Sequence, residues 1–122
     1  MILADTSVWI DFLRQTNTSV EKRMIVHLEE GDLITVSAVF GELLQGTKNE
    51  KENKTILDYW INVPKLEEDD LFIEAGKLSA RYKLFKDGVG LIECYILAGA
   101  VAYGHGLWTL DKNLLHAFKK IS

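Results

Sequence analysis

The sequence predicts an α/β fold: a three-layer α/β/α sandwich with a central parallel sheet. Short apolar runs rich in β-branched residues alternate with longer segments of helical periodicity, residues that cap or end helices separate them, and the chain contains a single proline. Strands that alternate with helices pair in parallel, with helices on both faces of the sheet. A chain of 122 residues is long enough for one hydrophobic core and too short for two, so we expect one domain over residues 1–122.

The first half of the chain contains two predicted strands, each followed by a helix. Thr6 or Ser7 can cap the helix after the first strand, and Ser37 can cap the helix after the second. Between them, a helical stripe of apolar residues at every fourth position ends at Gly31. The predicted strands are residues 2–4 and 33–36, and the predicted helices are residues 6–13, 20–30 and 37–44.

The second half is predicted to be mostly helical, with a third strand near its end. One helix ends before Pro64, and the next begins at Asp69 or Asp70. A later segment is apolar on nearly every side apart from Glu93, which is typical of a buried helix. The predicted helices are residues 50–63, 70–85 and 91–102, and the third strand is residues 107–109.

Composition and charge restrict the class of protein. Apolar residues make up 48% of the chain and charged residues 26%, a soluble globular composition, and no apolar stretch reaches the roughly 20 residues that span a membrane. The N-terminal segment lacks the basic region of a signal peptide, and a single cysteine fits a reducing compartment, so we expect a cytoplasmic protein. The net charge of −4 argues against nucleic-acid binding by bulk electrostatics, although a bound cation would neutralise an acidic site.

Four acidic residues lie where this fold would bring them together. Asp5 follows the first strand directly, Glu42 lies about a turn and a half into the helix after the second strand, and Asp111 comes two residues after Thr109. Open parallel sheets bind ligands beyond the carboxyl ends of their strands. Glu93 is the only charge in the buried helix, where a carboxylate needs a partner or a metal to remain ionised. The pattern therefore predicts that these four carboxylates bind a divalent cation.

This ligand set indicates phosphoryl chemistry. All-oxygen ligands favour Mg²⁺ or Mn²⁺ over zinc. Carboxylates without an evident nucleophile suit phosphodiester hydrolysis by a metal-activated water, in which the metal also neutralises the scissile phosphate. The hydroxyl groups of Thr6, Ser7 and Thr109 could contact waters or phosphate oxygens at this site.

Three segments of the chain carry a family resemblance: MILADTSVWIDFLR, SAVFGELLQG and VGLIECYILAGAVAYGHGLWTLDKNL. Together they resemble a PIN-domain nuclease, and most of all the VapC toxins of type II toxin–antitoxin pairs. The resemblance implies endoribonuclease activity on RNA with Mg²⁺ or Mn²⁺, a homodimer, and a cognate antitoxin protein that blocks the site. It matches the first acid of the family to Asp5, its helix glutamate to Glu42 and its last acid to Asp111.

The chain departs from the family pattern at one acid. Glu93 stands where the family usually has aspartate, and the step of eighteen positions from Glu93 to Asp111 is the one that the pattern expects. The alternative function is therefore a catalytically weakened PIN domain that acts as an antitoxin- or RNA-binding module.

The sequence also predicts self-association. The segments from Val20 to Val63 carry more apolar residues than one small core needs, which indicates an isologous dimer. The residues that suggest it are Met24, Ile25, Trp60 and Ile61.

Overall fold

The computed structural model describes residues 1–122 and contains three short strands and seven α-helices. This element order confirms the predicted α/β class. In chain order the elements are β1 (Ile2–Ala4), α1 (Thr6–Arg14), α2 (Thr18–Glu30), β2 (Leu33–Ile34), α3 (Ser37–Gln45), α4 (Glu50–Asn62), α5 (Leu71–Tyr82), a 3₁₀ turn (Leu84–Asp87), α6 (Leu91–Ala102), β3 (Gly106–Trp108) and α7 (Lys112–Ile121).

The three strands form a parallel sheet in the order β2, β1, β3. Ile2 pairs with Leu33 of β2 and with Gly106 of β3, and Ala4 pairs with Trp108. Because the strands are parallel and in register, they all end at one edge of the sheet, the carboxyl edge, and begin at the opposite one, the amino edge. The residues that follow the strands are thereby brought close together.

Helices cover both faces of the sheet. The ring of Trp108 lies under the guanidinium group of Arg23 in α2, 4.2 Å from it. The opposite face packs against α6 at Gly99, where an added Cβ would lie 3.5 Å from Leu3. Ala4 pairs with Trp108, so the two side chains lie on the same face of the sheet. Leu3 is the neighbour of Ala4 in β1, so its side chain points to the opposite face. The structure therefore has the three predicted layers, with the sheet between α2 and α6.

The buried character of α6 is confirmed for its central part, whereas Leu91 and Ile92 in its first turn are exposed. Glu93 is the only charged residue of the helix. At Gly99 the helix approaches its neighbours closely, because a Cβ there would lie 3.0 Å from Leu66 and 3.3 Å from Val36. The buried residues of α6 are Cys94, Ile96, Leu97, Ala98, Gly99 and Ala100.

The apolar residues that suggested a dimer have different environments. Met24 is fully buried in the core, so it is not surplus surface and this part of the expectation is wrong. Trp60 is half-buried and packs against Phe40. Ile25 is exposed, and Ile61 is 71% exposed. Of these four residues, only Ile25 and Ile61 are exposed apolar side chains that a partner could cover.

Two helices begin differently from the prediction. Asp5, rather than Thr6 or Ser7, caps α1, because the chain passes from β1 into the helix with only one residue between them. Ser37 is the first residue of α3 and not its cap. Val36 occupies the cap position, and its side chain has no hydrogen-bond acceptor. The first turn of α3 therefore depends on an acceptor from elsewhere in the chain.

The helix predicted over residues 70–85 is shorter in the structure. It ends at Tyr82, because Lys83 adopts a left-handed conformation with φ of 52°, and a 3₁₀ turn follows. This turn buries Leu84 and leaves Phe85 64% exposed. The helix α7 was not predicted. None of the helices is both long enough and apolar enough to span a membrane.

Candidate functional site

Asp5 is held firmly at the carboxyl edge, directly after the central strand. One carboxylate oxygen, Oδ1, accepts the backbone N–H of Val8 at 3.2 Å and the hydroxyl of Ser7, and Oδ2 accepts the hydroxyl of Thr109. Its own backbone N–H donates to the carbonyl of Trp108 at 3.0 Å. The residue is only 4% exposed, and this burial raises the pKa of Asp5, although the hydrogen bonds partly oppose the shift.

Asp111 follows β3 and caps α7. Its Oδ1 accepts the backbone N–H groups of Asn113 at 2.8 Å and Leu114 at 3.1 Å. Neither bond uses Oδ2, which has no donor from the protein. The backbone N–H of Asp111 donates to the hydroxyl oxygen of Thr109 at 3.0 Å, and the same hydroxyl donates to Asp5. Thr109 thus fixes the two carboxylates relative to each other.

Glu93 reaches the same place from the first turn of α6. Its Oε1 accepts the backbone N–H of Gly90 at 3.2 Å, whereas Oε2 is buried and has no hydrogen-bond partner. Burial raises the pKa of Glu93, and the neighbouring carboxylates of Asp111 and Asp5 raise it further, despite the opposing bond from Gly90. For the ionised form, a buried carboxylate oxygen without a donor and beside two other acids is unfavourable unless a cation is bound.

Glu42 lies at the rim of this group. It projects from the middle of α3, is exposed, and accepts the hydroxyl of Thr6 at 2.6 Å. Because Thr6 follows Asp5 directly, this bond connects Glu42 to the other acids. The structure thus brings Asp5, Glu93 and Asp111 together and places Glu42 beside them through Thr6.

The three hydroxyl residues of the site orient its carboxylates. Thr6 donates to Glu42, and Ser7 and Thr109 both donate to Asp5. The Ser7 hydroxyl oxygen also accepts the backbone N–H of Leu110 at 3.0 Å. The sequence did not indicate this supporting role, which depends on contacts across as many as 104 positions. Direct contact of these hydroxyls with water or phosphate stays a prediction.

No basic side chain forms an ion pair with the acids of the site. The ion pairs of the chain are His27–Asp32, Lys77–Glu74 and Lys120–Asp87, and none involves the four acids. The available ligand atoms are all carboxylate oxygens, and Oε2 of Glu93 and Oδ2 of Asp111 have no protein donor. Such a set fits a hard divalent cation such as Mg²⁺ or Mn²⁺.

A second group of titratable side chains lies at the amino edge. The potential ligand atoms of His27, Glu30 and Asp32 all lie within 4.8 Å of one another. His27 Nδ1 is 2.9 Å from Asp32 Oδ1, and the Asp32 carbonyl accepts the backbone N–H of Ile2 at the start of β1. This group is therefore separated from the four acids by the length of the strands.

Comparison with known proteins identifies the family. Residues 2–120 match the PIN domain. Ribonuclease VapC32 of Mycobacterium tuberculosis is 31% identical over 118 residues, which cover 93% of this chain and 87% of that protein. Ribonuclease VapC11 of the same species is 27% identical over 109 residues, which cover 85% of this chain and 81% of that one.

Solved structures share the fold. VapBC2 from Rickettsia felis, crystallised with a DNA fragment from its promoter, superposes with a TM-score of 0.67 at 18% identity, covering 91% of this chain and 100% of that one. FitAcB from Neisseria gonorrhoeae gives a TM-score of 0.65 at 19% identity, covering 98% and 94%. The chain belongs to the PIN-domain family, and the relatives that it resembles in sequence are VapC ribonucleases.

Proposed function

We propose that this chain is a metal-dependent endoribonuclease, a hydrolase of RNA phosphodiester bonds, and the toxin of a toxin–antitoxin pair. The observation that carries the proposal is the convergence of Asp5, Glu93 and Asp111 at the carboxyl edge without a basic side chain paired to any of them. The similarity to VapC ribonucleases supports RNA as the substrate.

Asp5, Glu42, Glu93 and Asp111 would hold the Mg²⁺ or Mn²⁺ ion. A divalent cation bound there would lower the pKa of a water molecule and neutralise the scissile phosphate. Asp5 is fixed by its hydrogen bonds and sets the position of the site below the surface. Asp111 and Glu93 each keep one carboxylate oxygen free of protein donors.

Glu42 would extend the acidic group toward solvent, the side from which RNA approaches. It is exposed, and the Thr6 hydroxyl orients its carboxylate. The position of the Glu42 carboxylate would therefore depend on both α3, which carries it, and α1, which carries Thr6.

The test is RNA cleavage by the purified chain with Mg²⁺, with Mn²⁺ and with EDTA. We expect cleavage with either ion and none with EDTA, and we expect expression without an antitoxin to slow growth. Undiminished cleavage in EDTA would contradict the proposal. If the chain binds RNA or an antitoxin but cleaves no RNA with either metal, the alternative function holds, and the chain is a catalytically weakened PIN domain that acts as a binding module.

The expected partners are RNA, a cognate antitoxin protein that covers the site, and a second copy of the chain, in the cytoplasm. The homodimer has some support from the exposed apolar side chains Ile25 and Ile61. Analytical ultracentrifugation at tens of micromolar, without antitoxin, should show a dimer, and Ile61→Asp should weaken it. A monomeric wild-type chain would contradict the prediction.

A further inference from the structure

Glu68, in the segment between α4 and α5, accepts hydrogen bonds from two different helices. Its Oε2 accepts the backbone N–H of Ser37 at 3.0 Å, and Oε1 accepts the Ser37 hydroxyl at 2.6 Å. The hydroxyl of Tyr95 also donates to Oε1. We call these three residues the Glu68 clamp. Ser37 begins α3, and Tyr95 lies in α6, so one carboxylate joins the helices that carry Glu42 and Glu93.

The backbone before Glu68 is anchored to the end of β2. The carbonyl of Pro64 accepts the N–H of Thr35, and the N–H of Leu66 donates to the carbonyl of Thr35, both at 3.0 Å. Leu66 is buried and packs close to Gly99 of α6. This short parallel pairing brings the segment to the carboxyl edge. Glu68 therefore reaches the clamp from a fixed position.

The start of α3 depends on this carboxylate. Val36 precedes the helix and supplies no side-chain acceptor, whereas α1, α2, α4 and α7 are each capped by the preceding residue. Glu68 satisfies a free N–H of the first turn from outside the helix. Its charge also lies at the positive end of the helix dipole, where it is stabilising.

Tyr95 connects the same carboxylate to α6. It lies two residues after Glu93, and its ring packs against Phe72 of α5 at 5.6 Å between centroids. The hydroxyls of Ser37 and Tyr95 also lie within hydrogen-bonding reach of each other, so the Glu68 clamp is a connected group of polar side chains that joins α3 to α6.

We propose that Glu68 is a positioning residue that fixes α3 and α6 relative to each other and so sets the distance between the Glu42 and Glu93 carboxylates. Glu42 lies five residues after Ser37, and Glu93 two residues before Tyr95, so a shift of either helix moves an acid of the site. The inference rests on the proposed function, because it concerns how well the four acids bind their cation. Removing a direct hydrogen-bond partner of a metal ligand typically changes affinity about tenfold or more. Glu68 acts one step further out, because it bonds Ser37 and Tyr95 on the helices that carry Glu42 and Glu93.

The test is equilibrium binding of Mn²⁺ to the metal-free chain without RNA, measured by the paramagnetic resonance signal of free Mn²⁺. In Glu68→Gln the side chain keeps its length, but an amide NH₂ replaces one of the two acceptor oxygens. We expect the Kd for Mn²⁺ to rise about tenfold. Because binding is measured where both proteins are folded, a loss of stability alone would leave the Kd unchanged.

The matched control is Glu67→Gln, which removes the same charge one residue away. The Glu67 side chain makes no hydrogen bond, and only its backbone carbonyl is used, by Tyr103. We expect its Kd for Mn²⁺ to stay within about twofold of the wild type. An equal rise in both variants would mean that charge acts at a distance, and it would overturn the positioning role.

Tyr95→Phe provides a second variant that removes one hydroxyl and leaves the carboxylate intact. It should raise the Kd about threefold in the wild-type background and should add nothing to Glu68→Gln, because both act through the same bond. If the wild type binds Mn²⁺ and neither variant differs from it, the positioning inference is wrong and the proposed function stands. If the wild type binds no Mn²⁺, the proposed function fails and the inference fails with it.

Discussion

The four-acid site and the Glu68 clamp lie at the same edge of the sheet and use the same functional group in opposite ways. The two oxygens of Glu68 accept three hydrogen bonds from neutral donors. Oε2 of Glu93 accepts none, although it is buried and its carboxylate lies beside those of Asp111 and Asp5. Both oxygens of Glu68 are used by donors within the protein, whereas Glu93 keeps one oxygen that a cation could use.

Under the proposed function, this contrast separates an acid that maintains the fold from acids that would bind a ligand. A carboxylate with all its acceptors used stabilises the folded chain, so its removal should lower stability. A crowded carboxylate that keeps one buried oxygen without a donor opposes folding when it is ionised, so neutralising it should raise stability and abolish function. Replacing Glu68 and replacing Glu93 should therefore change the stability of the protein in opposite directions.

The largest effect should come from Asp5. In Asp5→Ala we expect RNA cleavage to fall at least a hundredfold, because a metal ligand is lost and the remaining acids are left uncompensated. The measurement is the cleavage rate at a fixed Mn²⁺ concentration. The control is Asp69→Ala, an exposed acid near Glu68 whose side chain makes no hydrogen bond, and it should cleave like the wild type. Comparable rates for Asp5→Ala and the control would contradict the assignment.

The next effect concerns the length and charge of Glu93. Glu93→Gln keeps the shape and removes the charge, so we expect it to lose most activity. Glu93→Asp restores the residue usual in the family, and it should lower the Mn²⁺ concentration needed for half-maximal cleavage. A metal titration of RNA cleavage compares the three proteins. If Glu93→Gln cleaves RNA as well as the wild type, Glu93 is not part of the site.

The smallest effect is on the stability of the metal-free protein. Because burial and two neighbouring acids raise the pKa of Glu93, its ionised form disfavours folding. We expect Glu93→Gln to raise Tm by roughly 2–5 °C near pH 7, and Glu68→Gln to lower it. Thermal melts in EDTA would show both shifts, and a decrease for Glu93→Gln would contradict the comparison.

The dependence on pH has a definite sign. A carboxyl group whose folded pKa is raised stabilises the fold below its unfolded pKa and loses that contribution as pH rises through the folded value. The Tm advantage of Glu93→Gln over the wild type should therefore shrink as pH falls from 7 toward the ordinary carboxyl range near pH 4. A constant difference over this range would mean that the ionisation of Glu93 does not oppose folding.

The parts of the site that could be predicted from sequence are those with a local signal. Asp5 and Asp111 follow strand-like runs, and Glu93 is the only charge in an apolar helix. Parallel pairing then brings these positions to one edge, whichever residues surround them. The alternation of strands and helices was sufficient for the fold class for the same reason.

The rest depends on contacts that leave no local pattern. Thr109 links Asp5 to Asp111 across the sheet, and nothing in its own segment indicates that link. Glu68 is one of four consecutive acids, and only the pairing of Thr35 with the segment at Lys65 selects it. That pairing is a single bridge beside a proline, too short for the alternation that predicts a strand. Helix ends were misplaced for a similar reason: Leu84 rather than Phe85 became buried once Lys83 turned the chain.

The most direct test of the central claim is the location of a bound ion. Crystals grown with Mn²⁺ and measured at a wavelength where manganese scatters anomalously would show the ion independently of any activity. We predict an anomalous peak between Asp5, Glu93 and Asp111. A peak only at His27, Glu30 and Asp32, at the amino edge, or no peak near the three acids at saturating Mn²⁺, would contradict the account.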